Sequence, residues 1–359
     1  MTAAAGRVAG WDLLRGLCAL AVACYHLSYW LDFAELPALG TYGVYLFFVL
    51  SGASLAYTYR EGELRGLRPV ASFLVVRWLR LAPLYLVLCL VFAVMLEARS
   101  GAPVDRLAWR VVLNGTFAFG LHDPATWALL IGGWSLGIEF VFYLLFPWLL
   151  RAAASPRLRW AVLVLLAGVQ ASWIAATIVT DGWAQANVAY HQVPAFGAWF
   201  FAGCVIGCLQ RERAADLPWW AAGWAWLALA ALLTVFMPAR AGDELLGWAG
   251  WLLPAACVAV VWLSGRASFV GAGSRIASVA GDVTYGTYLL HPMLLFGVLW
   301  FVRPLETMGT GARVAVFAAV LATSCFLAWA SERWFERPIR RWGKARLRRL
   351  QSEPASISS

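Results

Sequence analysis

The most constraining feature of this sequence is a series of apolar stretches that are long enough to cross a lipid bilayer. A transmembrane helix needs about 20 mostly apolar residues, because the hydrocarbon core is about 30 Å thick. Lipid offers the backbone no hydrogen-bond partners, which favours helices in such stretches. The sequence therefore predicts an all-α, polytopic integral membrane protein with about ten transmembrane helices. The ten stretches are residues 11–31, 40–59, 73–97, 130–150, 159–179, 189–209, 218–237, 245–264, 279–302 and 312–334.

The composition agrees with this fold class. Apolar residues make up 62% of the chain and charged residues 13%. Soluble globular domains contain roughly half apolar and a quarter charged residues. The seven cysteines all lie within apolar stretches and have no metal-ligand spacing, so we expect small buried side chains and no metal site.

The distribution of basic residues predicts the orientation. Cytoplasmic loops carry an excess of Lys and Arg. If the chain has ten spans and both termini lie in the cytoplasm, only six of the 28 basic residues lie on the outer side. If the shorter stretch 107–121 also crossed, the basic C-terminal tail would face outwards, so we expect an outer re-entrant or interfacial helix there. The net charge of +9 is then explained without nucleic acid as a partner.

The chain reads as one domain followed by a tail. Residues 1–341 contain all the predicted spans and form the predicted transmembrane domain. Residues 342–359 pass from a basic stretch to a Ser-rich end, and we expect this cytoplasmic tail to be disordered. No internal repeat of the kind found in many transporters is recognisable.

Arg15 and His26 both lie within the first apolar stretch. On a helix they are about 20° apart around the axis and about 16 Å apart along it. Ionisable residues within spans are costly and often functional, and a histidine can take a proton near neutral pH. For an isolated pair a structural role explains both residues slightly better. His26 would hydrogen-bond a neighbouring helix, and Arg15 would reach back to the membrane surface.

The pair belongs to a set of motifs that resembles the membrane acyltransferase-3 family over nearly the whole chain. The first segment, with Arg15 and His26, resembles the R-x10-H helix of that family. Two positions depart from the family pattern, because Tyr45 and Phe140 stand where many relatives have acidic residues. The matching segments are WDLLRGLCALAVACYH at 11–26, FFVLSG at 47–52, RWLRLAPLY at 77–85, WSLGIEFVFYLLFP at 134–147, YGTYLLHP at 285–292 and FERPIRRW at 335–342.

The resemblance implies a membrane O-acyltransferase. Its donor would be acyl-CoA, with acetyl-CoA as the expected form, and its acceptor a hydroxyl of a carbohydrate or glycosylated molecule at the membrane. It also implies that Arg77 and Arg80 lie on the acyl-CoA side. These arginines are three positions apart, so they share a helix face, and two guanidinium groups on one face suit phosphate.

The catalytic assignments follow from the resemblance together with the predicted topology. His26 is the candidate base or acyl carrier, and Arg15 is its companion on the inner side. Glu139 is expected in the same leaflet as His26, where its carboxylate would orient the imidazole. The alternative for Glu139 is a hydrogen bond between helices that holds the fold.

Four further residues are predicted to bind substrate. Tyr143 follows Glu139 by four positions and extends a polar stripe on one helix face. Trp134 either walls the acceptor site or marks the membrane interface. His291 and Tyr288 lie near the middle of the ninth stretch, before a proline that interrupts helix hydrogen bonding. A packed, hydrogen-bonded histidine is the structural alternative for His291.

Two other function classes remain open from the sequence. A transporter or lipid-linked glycan flippase would use the same charges to line a path. A non-catalytic scaffold or receptor would keep the fold without the chemistry. The missing repeat and the motif set favour the enzyme, and we expect a multi-pass protein of the inner or plasma membrane.

Overall fold

The computed structural model describes residues 7–101, 104–179, 191–213, 215–238 and 243–352, and helices dominate it. The prediction of an all-α, polytopic membrane protein is confirmed. The helices are α1 (Ala9–Trp30), α2 (Pro37–Thr58), α3 (Leu67–Ser100), α4 (Leu107–Thr116), α5 (Pro124–Trp127), α6 (Gly133–Ala154), α7 (Leu158–Ile174), α8 (Gly197–Gln210), α9 (Trp219–Val235), α10 (Ala249–Arg266), α11 (Ala272–Gly297), α12 (Thr310–Ser331) and α13 (Arg337–Ser352).

Short elements join or extend these helices. Two-residue strands β1 (Leu217–Pro218) and β2 (Ala267–Ser268) pair in parallel. The 3-10 turns are Glu61–Leu64, Ala118–Leu121, Val193–Ala195, Asp243–Leu245 and Leu305–Thr307. The π-helical turns are Ala175–Val179, Val298–Val302 and Glu332–Glu336.

Each of the ten predicted spans coincides with a helix in the described part of the chain. Seven of these helical segments are long and apolar enough to cross a membrane by themselves. Helices α8 and α9 are apolar but shorter, and α1 carries two charged side chains, Asp12 and Arg15. The first two residues of the predicted span 189–209 lie outside the described residues.

Helix α4 is too short to cross the bilayer. Its ten residues extend about 15 Å, half of the hydrocarbon thickness. Asn114 on α4 is buried and accepts a hydrogen bond from Tyr85 at 2.6 Å, and the Gly115 carbonyl accepts from Trp78 at 2.8 Å. Helix α4 therefore packs beside α3, whose side chains satisfy these polar groups.

The C-terminal segment corrects one prediction. We expected disorder from residue 342, whereas α13 continues as a helix to Ser352. Gly343 brings α13 against α3, since a Cβ at this position would overlap the Leu79 side chain. Composition alone predicts solvation of such a basic stretch, but docking on α3 and ion pairs with buried carboxylates order it. Residues 353–359 lie outside the described residues.

Close approach of small residues holds the centre of the bundle together. A Cβ at Gly52 of α2 would overlap the Phe200 carbonyl of α8, and a Cβ at Gly203 would overlap the Val49 carbonyl. Small residues allow such close packing between membrane helices. Tyr45 is fully buried in this region and stacks on Trp199 with ring centroids 4.3 Å apart. Tyr45 therefore belongs to the core.

Candidate active site

Two histidines from distant parts of the sequence meet between α1 and α11. The Nδ1 atom of His26 lies 2.9 Å from the Nε2 atom of His291. The Nδ1 atom of His291 lies 3.0 Å from the carbonyl oxygen of Thr287, one turn earlier on α11. His291 is completely buried and His26 is half-buried, so only the latter is open to a second molecule.

The hydrogen bonds assign the proton positions of this pair. A carbonyl only accepts, so the Nδ1 atom of His291 must carry the proton that faces Thr287. In the neutral imidazole, the Nε2 atom of His291 then accepts from the Nδ1–H group of His26. The Nε2 atom of His26 therefore carries a lone pair, which is the form that a general base requires.

Aromatic rings surround the open face of His26. Trp30 stacks on the imidazole with ring centroids 4.6 Å apart and planes 14° apart. Tyr25 lies 5.0 Å away between centroids, and its neighbour Tyr29 is 51% exposed. These rings restrict the orientation of the imidazole and leave an aromatic surface next to it.

A cavity of about 590 Å³ opens on the side of the bundle that carries Arg77, Arg80 and α13, here called the basic side. Most of the residues that line it are polar or charged. Ser135 and Tyr288 line it as well. The Tyr288 hydroxyl lies 3.0 Å from both the Ser135 hydroxyl and the Gly132 carbonyl, and its ring centroid is 6.4 Å from that of His291. Tyr288 therefore stands between the cavity and the histidine pair.

Glu139 lines this cavity, and its carboxylate bonds other side chains there rather than His26, the partner expected from the sequence. Its Oε1 atom accepts hydrogen bonds from Ser51 and Tyr143, each at 2.6 Å. Helix α6 begins at Gly133, directly after the Gly132 carbonyl that accepts a hydrogen bond from Tyr288. Glu139 consequently lies about 10 Å further toward the basic side. The residue that orients His26 is His291, which we had expected to bind substrate.

Arg15 is held by its neighbours rather than left open to a ligand. Its guanidinium group donates to Asp12 at 2.8 Å, to the Leu50 carbonyl at 3.2 Å and to the Ser54 hydroxyl. The Asp12 side chain is only 8% exposed and also binds Arg7 at 2.7 Å. Arg15 lines the basic-side cavity, but its donors are engaged within α1, at Asp12, and with α2, at Leu50 and Ser54.

The ion pairs continue from Arg7 to the C-terminal helix. Asp282 of α11 binds Arg7 at 2.6 Å and Arg337 of α13 at 2.7 Å. Arg337 and Arg340 both bind the buried carboxylate of Glu332. This ion-pair network consists of Arg7, Asp12, Arg15, Asp282, Glu332, Glu336, Arg337 and Arg340.

Arg77 and Arg80, which share a helix face by their spacing, both line the cavity. Arg77 lies over the rings of Tyr59 and Phe73, with its guanidinium carbon 5.7 and 5.6 Å from the two centroids. One of its donors reaches the Tyr59 hydroxyl at 3.3 Å, and its buried Nε atom has no hydrogen-bond partner in the described structure. These contacts hold the guanidinium plane at the cavity and leave donors for an anion.

The remaining predicted site residues separate into two groups. Tyr143 and Tyr288 line the cavity on the basic side. Trp134 does not line it and packs against His191 at 4.1 Å between ring centroids and against Phe196 at 5.4 Å. Among the described residues, no three His, Cys, Asp or Glu side chains are grouped as metal ligands.

Sequence reasoning missed the ion-pair network and the partner of His26. Asp12 stands three positions before Arg15, a spacing that places the two on one helix face and could have identified this pair. The histidine pair joins positions 26 and 291, and no local spacing relates them. Ser51, which binds Glu139, lies within the FFVLSG motif but carried no assignment.

The chain is similar to known proteins over most of its length. A family model for an acyltransferase domain, that of the acyltransferase-3 family, matches residues 8–332. Acyltransferase MdmB of Streptomyces mycarofaciens is 26% identical over 352 residues, with 86% of each chain covered. The exopolysaccharide production protein ExoZ of Rhizobium meliloti (strain 1021) is 27% identical over 320 residues, with 86% of this chain and 92% of ExoZ covered. No solved structure matches the chain significantly. Because the family model spans most of its length, this chain belongs to the acyltransferase-3 family and is a multi-pass membrane acyltransferase.

Proposed function

We propose that the protein transfers an acyl group, with acetyl as the expected group, from cytoplasmic acyl-CoA to a hydroxyl of a carbohydrate or glycosylated acceptor. The observation that carries this proposal is the chain of hydrogen bonds from the Thr287 carbonyl through His291 to His26. It leaves the Nε2 atom of His26 as a hydrogen-bond acceptor on the half-buried face of the pair. That atom can remove a proton from an acceptor hydroxyl.

The donor belongs on the basic side. The positive-inside rule assigns this side to the cytoplasm, where acyl-CoA is available. The cavity presents cationic side chains that include Arg77 and Arg80, and Tyr288 also lines it. Phosphates of the donor would bind these cations, and the thioester end would point inwards toward Tyr288. The acyl group then lies one side chain away from the histidine pair.

The transfer step balances without a further reactant. The acceptor oxygen attacks the thioester carbonyl carbon while its proton passes to the Nε2 atom of His26. The resulting imidazolium donates its Nδ1–H group to His291, a charge-assisted hydrogen bond that stabilises the new charge. The tetrahedral intermediate collapses with cleavage of the carbon–sulfur bond, and CoA leaves as the thiol after it receives the proton. An alternative route forms an acyl-imidazole on His26 before the acceptor is acylated.

The acceptor is proposed to approach from the side opposite the cavity. Tyr25, Tyr29 and Trp30 surround the open face of His26 there. Aromatic faces of this kind suit the apolar face of a sugar ring. One relative is described as an exopolysaccharide production protein, which supports a carbohydrate acceptor for this chain. The protein would then work in the inner or plasma membrane, in contact with lipid and with a glycoconjugate.

Membranes that contain the full chain provide the test. With radiolabelled acetyl-CoA, the wild type should release free CoA and label a carbohydrate-containing acceptor. His26→Ala should lower the transfer rate by about 100- to 10,000-fold at equal amounts of inserted protein. Transfer by this variant at the wild-type rate would overturn the assignment. Mass spectrometry of surface glycans with and without the gene would identify the acceptor.

A transporter or lipid-linked glycan flippase is the competing function, since the basic-side cavity could also belong to a path for a substrate. The same experiment separates the two. A transporter would move its substrate without releasing CoA, and its rate would not depend on acyl-CoA. The histidine pair favours the enzyme. Its hydrogen bonds leave the Nε2 atom of His26 as an acceptor, which acyl transfer uses as a base and which the passage of a substrate through a transporter does not require.

A further inference from the structure

The cations that line the basic-side cavity divide into paired and unpaired groups. Eight Arg and Lys side chains line it. Four of them are members of the ion-pair network, which contains an equal number of carboxylates and is therefore neutral as a whole. These four paired side chains are Arg7, Arg15, Arg337 and Arg340.

The other four cations form no ion pair with a carboxylate in the described part of the chain. Arg77 and Arg80 come from α3, and Arg341 and Lys344 come from α13. Among the described residues that line the cavity, Glu139 is the only carboxylate outside the network. A concave surface with this excess of positive charge attracts a ligand that carries several negative charges.

The position of α13 is fixed from two sides. The ion-pair network ties its first turns, at Arg337 and Arg340, to α11 and to Glu332. At Gly343 the helix touches Leu79 of α3, the residue directly before Arg80. Arg341 and Lys344 flank this contact at i−2 and i+1. The packing therefore brings the cations of α13 that form no ion pair to the same opening of the cavity as those of α3.

Exposure gives the order of the cations along the cavity. Arg341 and Lys344 are exposed, whereas Arg77 and Arg80 are half-buried. Tyr288 and Ser135 are buried still further in. A ligand that extends from Tyr288 to the opening therefore meets the α3 pair first and the α13 pair last.

We propose that Arg341 and Lys344 of α13 bind the 3′-phosphate of the CoA donor, while Arg77 and Arg80 bind its pyrophosphate. This assignment rests on the proposed function and on the chemistry of the donor. In CoA the pyrophosphate joins the pantetheine arm to the nucleotide, and the 3′-phosphate lies on the ribose, further from the thioester. With the thioester toward Tyr288, the two phosphate groups match the two cation pairs in order.

Binding of CoA and 3′-dephospho-CoA to the purified full chain tests the assignment without knowledge of the acceptor. Isothermal titration calorimetry gives both dissociation constants. The wild type should prefer CoA by roughly 10- to 100-fold, the range expected for hydrogen bonds to a charged group. In Arg341→Gln/Lys344→Gln the preference should fall to about 1, with little change in the affinity for dephospho-CoA. Arg77→Gln should weaken both ligands and keep the preference.

A matched control variant also removes two positive charges from the basic side of the protein. Arg275→Gln/Arg346→Gln changes two basic residues that do not line the cavity, and the preference for CoA should persist. If the α13 double variant does not fold, Lys344→Gln alone, at an exposed position, should still lower the preference. An undiminished preference in the α13 variants, or none in the wild type, would overturn the role of α13. Failure of the wild type to bind CoA at all would overturn the proposed donor as well.

Discussion

The Nδ1 atom of His26 and the Nε2 atom of His291 lie 2.9 Å apart, although 265 positions separate the two residues in the chain. Their rings are nearly parallel, with planes 18° apart and centroids 5.2 Å apart. The orientation of His26 therefore depends on helix α11 and not on a carboxylate. His291, which contacts the proposed base His26, can therefore be tested separately from the residues of the basic-side cavity, where the acyl donor is proposed to bind.

We predict that His291→Ala lowers kcat for acyl transfer by roughly 10- to 100-fold, because the imidazolium of His26 loses a charge-assisted hydrogen bond. The KM for acyl-CoA should stay near the wild-type value, since His291 does not line the basic-side cavity. Steady-state kinetics in detergent separate the two parameters. His291→Gln, whose side-chain oxygen can still accept, should restore part of kcat. A purely structural role would instead lower the amount of folded protein and leave the kcat of the remainder unchanged.

We predict that Glu139→Gln alters the KM for acyl-CoA by several-fold and leaves the KM for the acceptor unchanged. The reason is the position of Glu139, which lines the basic-side cavity and is bound there to Ser51 and Tyr143. Varying one substrate at a time in the transfer assay measures both constants. Tyr143→Phe, which removes one of the two donors, serves as a milder comparison. An effect confined to the acceptor would place Glu139 functionally with His26 and contradict this prediction.

We predict that Asp12→Asn destabilises the protein by about 3 kcal/mol, because the substitution leaves Arg15 without its carboxylate in a largely buried setting. The Arg7 end of the network loses a partner as well. Thermal unfolding in detergent, followed by size-exclusion chromatography, measures the change. Glu61→Gln breaks the exposed pair with Arg65 and should cost less than about 1 kcal/mol. Equal losses in the two variants would argue against a structural role of the network.

We predict that Gly52→Ala lowers stability by about 1–3 kcal/mol through overpacking. The added Cβ would overlap the Phe200 carbonyl, a backbone atom that can move only if α8 shifts away from α2. Gly168→Ala on α7 is the matched control, because no atom lies within 4 Å of a Cβ at that position. The melting temperatures of both variants test this contact. A similar melting temperature for the two would show that α8 yields easily.

Several features could be predicted from the sequence because they depend on neighbouring residues. The spans follow from runs of apolar side chains, and each predicted run contains a helix in the described residues. Arg77 and Arg80 share a face because they are three positions apart on one helix. The acyltransferase-3 resemblance also depends on short motifs, and the family match over residues 8–332 confirmed it.

The tertiary structure decided which of these residues meet. Counting residues within the predicted span placed Glu139 in the same leaflet as His26, where its carboxylate was expected to orient the imidazole. Helix α4 and the turns after it lead to Gly132, whose carbonyl accepts a hydrogen bond from Tyr288, and α6 begins at the next residue. Likewise, α13 is ordered by contacts with α3 and α11 that its own basic composition does not reveal. Helical periodicity is a local property that the sequence alone determines. The position of a side chain within the bundle and the residues that it contacts depend on how helices from distant parts of the chain pack.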